Sequence, residues 1–444
     1  MQKVNLKGLS LQEIEGLVES LGEKPYRARQ IYEWVFQKDV SGIGEMTNLS
    51  IGLRNKLSEL AYIPRLSIAD KRISKDGTEK YLFILPPLHP PPSTSPFSPP
   101  YKGGERGGLK GGSGEVSENG NSIESVLIPD APSPQSSPQM GEEVNRRLTL
   151  CISTQVGCKL NCTFCLTGKG GFIRNLSHYE IIEQILSVQR EIRPPLSPLM
   201  EPALSEAEGN EGNGVVGDIT NVVLMGMGEP LDNYENVIKS IKTMISPHGL
   251  KIPAKRITLS TSGLIPQIRQ LAKENLKINL AISLNASDNE TRDKIMPVNK
   301  KYPIEELLKA LKEYPLPPNR RITFEYVMIK GLNDSIEDAK RVSNILKNIK
   351  CKINLIPLNP PFTTSPSPPS EGGEKGEVKG GKGGIFEGSD FEAPDYKNVE
   401  EFQNLLISRH YTVIIRKSKG ADICAACGQL RGKKLDADLQ DLHR

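Results

Sequence analysis

Long apolar runs are missing from this 444-residue chain. None reaches the roughly 18 residues that a membrane-crossing helix needs, so the sequence predicts a protein with no membrane association. The opening residues lack the charged-then-apolar pattern of a secretory signal peptide. Charge of one sign is also scarce: 57 Lys plus Arg stand against 53 Asp plus Glu, leaving +4. That balance by itself names no nucleic-acid partner. Cysteine is sparse and odd in number, with seven in all, six of them in two clusters. An odd, clustered set excludes the disulfide framework of a small secreted domain. It points to a reducing cytoplasm, where grouped thiols serve metals or catalysis.

The length allows two or three domains. Residues 1–62 read as a small helical unit. Ser10 and Glu13 form a capping box ahead of apolar Leu11, Ile14, Leu17, Val18 and Leu21. A second helix follows Pro25 and a third ends near Leu60, with Lys24, Arg27, Arg29 and Lys38 making a basic face. Residues 63–146 read as a strand-bearing linker region, interrupted at about 86–122 by a Pro/Gly-rich stretch with almost no apolar anchor. Its segment 98–112 aligns without gaps to 367–381, and neither copy has apolar periodicity. These read as copies of one low-complexity insertion in surface loops. A third interruption of different composition lies at about 194–214, and the downstream insertion spans about 360–394. With the insertions set aside, residues 147–417 alternate strand-like and helical patterns about six times. That alternation predicts an α/β fold whose parallel sheet curls into a partial or full barrel. Residues 418–444 form a tail.

In such barrels the chemistry sits on loops after strand C-termini. The first strand is followed by Cys158-x3-Cys162-x2-Cys165. Thiolates ligate iron–sulfur clusters, and a [4Fe–4S] cubane usually takes four. Three on one short loop can hold three irons and leave the fourth open to a ligand with an amine and a carboxylate. This spacing is the signature of radical S-adenosylmethionine (SAM) enzymes. A competing arrangement pairs Cys162 and Cys165 with Cys424 and Cys427 as a zinc staple without catalysis, but it leaves Cys151 and Cys158 unexplained. Cys351 lies in an apolar strand and reads as a buried structural thiol. Further motifs fall at strand ends: "LMGMGEPLDN" (224–233), "TLSTSG" (258–263), "SLNAS" (283–287) and "PLNP" (357–360). In the first of these motifs, at the end of the second barrel strand, glycines let the backbone approach a ligand and Glu229 can accept from an ammonium. Non-ligand thiols such as Cys151 and Cys427 can act as nucleophiles or resolve a covalent intermediate.

Together "CISTQVGCKLNCTFCLTGKGGFIRNL", "VLMGMGEPLDN", "ITLSTSGLIP" and "DICAACGQL" resemble the bacterial radical-SAM RNA adenine C2-methyltransferases, the RlmN family. The likeness spans nearly the whole chain outside the insertions. It implies a partial (β/α)6-type radical-SAM barrel with a small N-terminal helical domain that contacts RNA. It implies a [4Fe–4S] cluster on Cys158, Cys162 and Cys165, and SAM against Gly228, Glu229, Ser260, Ser283, Leu284, Asn285 and Asn359. Cys427 matches the methyl-carrying cysteine, Cys151 the cysteine that resolves the intermediate as a transient disulfide, and Glu124 the proton acceptor. The position of Asn285 is commonly histidine in the family, and Cys424 creates a CxxC that family members need not have. The implied substrates are an adenine in 23S rRNA and the adenine beside the tRNA anticodon. An electron donor such as flavodoxin or ferredoxin, a monomer and a cytoplasmic location complete the expectation. The nearest relative of different outcome is the adenine C8 methylase linked to antibiotic resistance. Lys24, Arg27, Arg29, Arg320, Arg321, Arg416, Lys417 and Lys419 are candidate phosphate contacts. If the insertions are passengers, deleting 88–118 and 362–388 leaves activity intact, and an inactive but well-folded deletion variant would refute that.

Overall fold

A computed structural model describes residues 3–86, 122–130, 147–193, 217–359 and 391–431. The cores of the three insertions therefore lie outside the described residues. The part of the downstream insertion that is described, from Phe391, is already tied to the sheet, since the Lys330 N–H donates to the Glu392 carbonyl.

The N-terminal unit comprises β1 (Val4–Asn5), α1 (Leu11–Ser20), α2 (Tyr26–Phe36), α3 (Ile51–Leu60) and β2 (Ala61–Tyr62). The expected capping box is present: the Ser10 N–H donates to Glu13 Oε2 at 2.6 Å and the Glu13 N–H to Ser10 Oγ at 3.3 Å. Helices α1 and α2 bury Ile14, Val18, Ile31 and Val35 against each other and the barrel. The parallel β1–β2 pair that closes the unit was not foreseen, because two-residue strands show no periodicity.

Next come β3 (Ile68–Ile73), β4 (Glu79–Ile84), β5 (Ser122–Pro129), β6 (Leu148–Cys151), β7 (Gln155–Gly157), α4 (Leu166–Lys169), β8 (Phe172–Asn175) and α5 (His178–Ile192). The alternating part continues with β9 (Ile219–Leu224), α6 (Tyr234–Ile245), β10 (Ile257–Thr261), α7 (Ile265–Lys273), β11 (Asn279–Ser283), α8 (Asn289–Ile295) and α9 (Ile304–Lys312). It ends with β12 (Ile322–Met328), α10 (Ile336–Ile345), β13 (Cys351–Pro357), α11 (Tyr396–Ser408) and β14 (Val413–Ile415). Among the described residues ten strands form one sheet in the order β14-β13-β12-β11-β10-β9-β6-β5-β4-β3. From β6 to β14 the neighbours are parallel and follow chain order, as repeated same-handed crossovers require. The sheet has two edges, so the barrel is partial. Strands β5, β4 and β3 extend it in antiparallel fashion, so the segment expected to be a linker is part of the barrel wall.

A buried ionic cluster fastens the N-terminal unit to α5. Lys7 is fully buried and pairs with Asp39 at 2.9 Å and with fully buried Glu183. Arg190 pairs with the same Asp39 and, at 3.0 Å, with Glu183. Glu183 also accepts the Leu66 N–H at 2.8 Å. Removing one member of such a set leaves an uncompensated buried charge. Glu183→Gln is expected to cost about 3 kcal/mol, read as a lowered urea midpoint. An unchanged midpoint would show that the unit is held by other contacts.

Candidate active site

The cysteine loop begins where β6 ends. Main-chain bonds from Ile152 N–H to the Val223 carbonyl (3.0 Å) and from Thr154 N–H to the Met227 carbonyl (2.8 Å) lay it against the segment after β9. The small β7–β8 hairpin, unseen in the sequence pattern, then folds the loop back. Gly157 has φ +74°, and a Cβ there would sit 1.9 Å from the Gly171 carbonyl oxygen, so only glycine closes this hairpin. The Cys158 N–H donates to that same oxygen at 2.8 Å. Farther on, the Thr163 N–H donates to the Ile295 carbonyl at the end of α8, and the Leu166 N–H to the Gly428 carbonyl of the tail.

Gly226 and Gly228 have a role that differs from the expected approach to a ligand. A Cβ on Gly226 would meet the Ile152 carbonyl at 2.7 Å, and one on Gly228 would meet the Gln155 side chain at 2.5 Å. Both glycines line the cavity described below, but their smallness is demanded by the cysteine-bearing segment. Between them and the next strand lies Glu229, buried, accepting from the Leu231 N–H at 3.1 Å and the Ser262 N–H at 2.8 Å. Burial raises its pKa, and these N–H groups and the Thr261 hydroxyl oppose the rise.

A cleft with roughly 820 Å³ of empty space, open solvent included, occupies the C-terminal end of the parallel strands. Of the residues named from sequence, it brings together Cys165, Gly228, Glu229, Ser260, Ser283, Asn285, Asn359 and Cys427. Apolar Leu224, Val327, Ile356 and Leu358 complete much of the wall. Leu284 is fully buried and lies outside the wall. Asn285 adopts φ +57° and spends its amide on the fold: Oδ1 accepts the Val327 N–H and Nδ2 faces Met296 Sδ. Asn359 donates to the Cys427 carbonyl at 3.4 Å and so supports the tail.

Cys158, Cys162, Cys151 and Glu124 are not among the residues that line the wall. Cys151 is buried; burial, then the charge of Cys427, pushes its thiol up to about 12. Glu124 pairs with buried Lys80 at 3.0 Å and accepts the Arg431 N–H of the tail at 2.7 Å. Lys80 also donates to the Cys424 carbonyl at 3.3 Å. Cys424 itself is buried and away from the cavity, whereas Cys427 exposes its surface into it.

Two residues of the site were missed or misassigned. Arg416, expected to face RNA phosphate, lines the cavity, and its charge favours the thiolates of Cys427 and Cys151. Glu325, in the middle of β12, is buried; its Oε2 has no hydrogen-bond partner and stands 4.0 Å from Arg416 Nη1.

Among the described residues no three His, Cys, Asp or Glu side chains converge on one metal ion. A cluster asks for something else, since each thiolate binds its own iron. Burial pushes the Cys158 thiol up to about 12 and Cys162 higher, and the neighbouring thiols oppose ionisation further. Thiols so placed lose their protons to a group that neutralises them, which fits iron. The mixed hydroxyl, carboxylate and apolar wall beside Cys165 suits a ligand with charged and apolar parts such as SAM.

Comparison with known proteins agrees with this geometry. Residues 4–63 match the family described as ribosomal RNA large subunit methyltransferase N-terminal domain, and residues 152–342 match the radical SAM superfamily. A dual-specificity RNA methyltransferase RlmN of Pelobacter propionicus is 39% identical over 99% of both chains. One of Geotalea uraniireducens is 38% identical over 99% of this chain and all of its own. The crystal structure of a radical SAM methyltransferase from Sphaerobacter thermophilus superposes with TM-score 0.70 and 32% identity, over 97% of this chain and all of that one.

Iodoacetamide should alkylate Cys427 well before buried Cys151 in the cluster-free protein. Because burial raises the Cys427 pKa, its rate should still climb above the ordinary thiol value of about 8.5. Peptide mapping by mass spectrometry reads both; equal labelling of the two thiols would contradict their placement.

Proposed function

The chain belongs to the RlmN family of radical-SAM RNA methyltransferases, and on that premise we propose that it methylates C2 of one adenine in 23S rRNA and of the adenine beside the tRNA anticodon. The observation that carries this reading is a single cavity with a loop cysteine, Cys165, and a tail cysteine, Cys427, on its wall. A [4Fe–4S] cluster on Cys158, Cys162 and Cys165, with SAM against Gly228, Glu229, Ser260, Ser283, Asn285 and Asn359, would supply a methyl group and radical chemistry.

Adenine C2 lies between two ring nitrogens and is electron-poor, so it does not attack an electrophilic methyl group directly. Cys427 solves this by carrying the methyl as a thioether, whose activated carbon bonds to C2 of a base turned out of its stack. Glu124, paired with Lys80, accepts the C2 proton. Cys151 attacks the Cys427 sulfur, forming a disulfide as the sulfur–carbon bond breaks; that bond's electron pair leaves with the methylene carbon, which takes a proton and becomes the methyl group of the freed base. The sulfurs must then approach to about 2 Å. Since Cys151 and Glu124 are not among the residues that line the wall, this sequence requires the tail to shift. Residues 1–62 contact RNA, 147–417 form the catalytic barrel and the tail from 418 carries the methyl. A flavodoxin or ferredoxin supplies electrons to a cytoplasmic monomer; no helix among the described residues is long and apolar enough to cross a membrane.

The test is nucleoside mass spectrometry on an rRNA fragment treated anaerobically with cluster-loaded protein, reductant and methyl-deuterated SAM. The expected product is 2-methyladenosine retaining two of three methyl deuteriums. 8-Methyladenosine would reassign the chain to the C8 methylases. Cys427→Ala should abolish turnover while Cys424→Ala keeps most of it; equal loss would overturn that division of roles.

A further inference from the structure

Arg292, on α8, has 0% of its surface exposed. Its five N–H donors all meet uncharged oxygens. Nε donates to the Leu284 carbonyl at 3.0 Å, Nη2 to the Ser262 and Ser283 carbonyls at 2.8 and 3.1 Å, and Nη1 to Asn299 Oδ1 at 2.9 Å and the Tyr302 carbonyl at 3.5 Å. Among the described residues no carboxylate forms an ion pair with it. A fully buried guanidinium without an acid is costly unless something else supplies negative charge. Burial depresses its pKa to about 10; the Cys162 sulfur opposes that fall first, and the neighbouring Asp293 carboxylate, which accepts from Asn299 Nδ2 at 2.7 Å, opposes it second. The same helix braces the cysteine loop, since its last carbonyl, at Ile295, accepts the Thr163 N–H at 3.0 Å. Arg416 differs: it is shared between Glu325 and the thiols of Cys427 and Cys151.

We infer that Arg292 is the fixed counter-charge of the iron–sulfur cluster and raises its reduction potential. This rests on the assignment of the cluster to Cys158, Cys162 and Cys165. Three thiolates bring negative charge to the site, and reduction adds one more. A positive charge held behind the loop, shielded from water, stabilises the reduced form more than the oxidised one. Arg292 is thus a positioning residue in two senses. Its hydrogen bonds hold together the ends of β10 and β11, and its charge sets the ease with which the cluster takes an electron.

The experiment is an anaerobic redox titration of the full-length reconstituted protein, followed by electron paramagnetic resonance. Arg292→Met and Arg292→Gln should lower the reduced-to-oxidised ratio at a given applied potential by about tenfold, which is about 59 mV for one electron. Arg292→Lys loses donors but keeps the charge and should stay within about threefold of wild type. Equal potentials in all proteins, or a Lys variant shifted as far as the neutral ones, would overturn the inference. Should the neutral variants fail to fold or to hold iron, Arg292→Lys decides alone: a wild-type potential supports the charge role and a tenfold fall refutes it. Wild-type protein that binds no iron would instead overturn the cluster assignment, and the inference with it.

Discussion

The hydrogen bond from the Leu166 N–H to the Gly428 carbonyl, 2.8 Å long, joins the loop after the first parallel strand to a tail some 260 residues later. Thr167 Oγ1 repeats the join at the Leu430 carbonyl, 2.7 Å away. Polar backbone that leaves water needs partners, and the tail finds its own on the element that carries the three loop cysteines. Gly428, at φ +84° and with the Phe164 carbonyl oxygen 3.2 Å from where a Cβ would be, makes the approach possible. Cys427 is delivered to the cavity as a consequence. The antiparallel extension of the sheet serves the same end. The turn between β3 and β4 accepts and is accepted by the tail: Asp76 takes the Gly420 N–H at 3.1 Å, and Asp422 takes the Lys75 N–H at 3.1 Å.

The charges around this join are arranged in two groups. On one side, Arg292 lies behind the cysteine loop with only carbonyl and amide oxygens around it. On the other, Arg416 stands between Glu325 and the two non-ligand thiols. Burial makes every thiolate here expensive, so each set of sulfurs has its own cation. Glu229 and Glu325 are both buried carboxylates in the cavity wall, but they differ in what they accept. Glu229 is satisfied by main-chain N–H groups, whereas one oxygen of Glu325 has none. The same wall thus presents a rigid acid at one end and a loosely held one at the other.

Much of this was legible in the residues themselves. The period of apolar positions located β6, each strand from β9 to β14 and the helices from α5 to α11 within a few residues, because burial on one face or both imposes that period locally. Ser10 and Glu13 announced α1 because the cap that they form is local too. The Cys158, Cys162 and Cys165 spacing suggested an iron–sulfur cluster because three thiols on eight residues need no distant partner to be noticed. The β7–β8 hairpin and the β1–β2 pair escaped notice because strands of two to four residues are too short to show a period. The second demand on Gly226 and Gly228, the close approach of Ile152 and Gln155, escaped too, since a glycine beside a ligand and a glycine beside another segment look alike in a sequence.

What stayed hidden was long-range. That β3, β4 and β5 continue the barrel wall depends on β5 pairing with β6 across an insertion. That Arg416 enters the cavity, instead of facing phosphate, depends on where β14 ends relative to Glu325 on β12. The choice of Cys427 over Cys424 rested on resemblance alone, and only the fold shows the Cys424 carbonyl accepting from Lys80 while Cys427 lines the cavity. Each of these is a contact between residues tens to hundreds of positions apart, chosen by packing and by the need of buried polar groups for partners. Composition, spacing and local period carry the elements and the ligand chemistry; they carry no term for which distant side chains will meet.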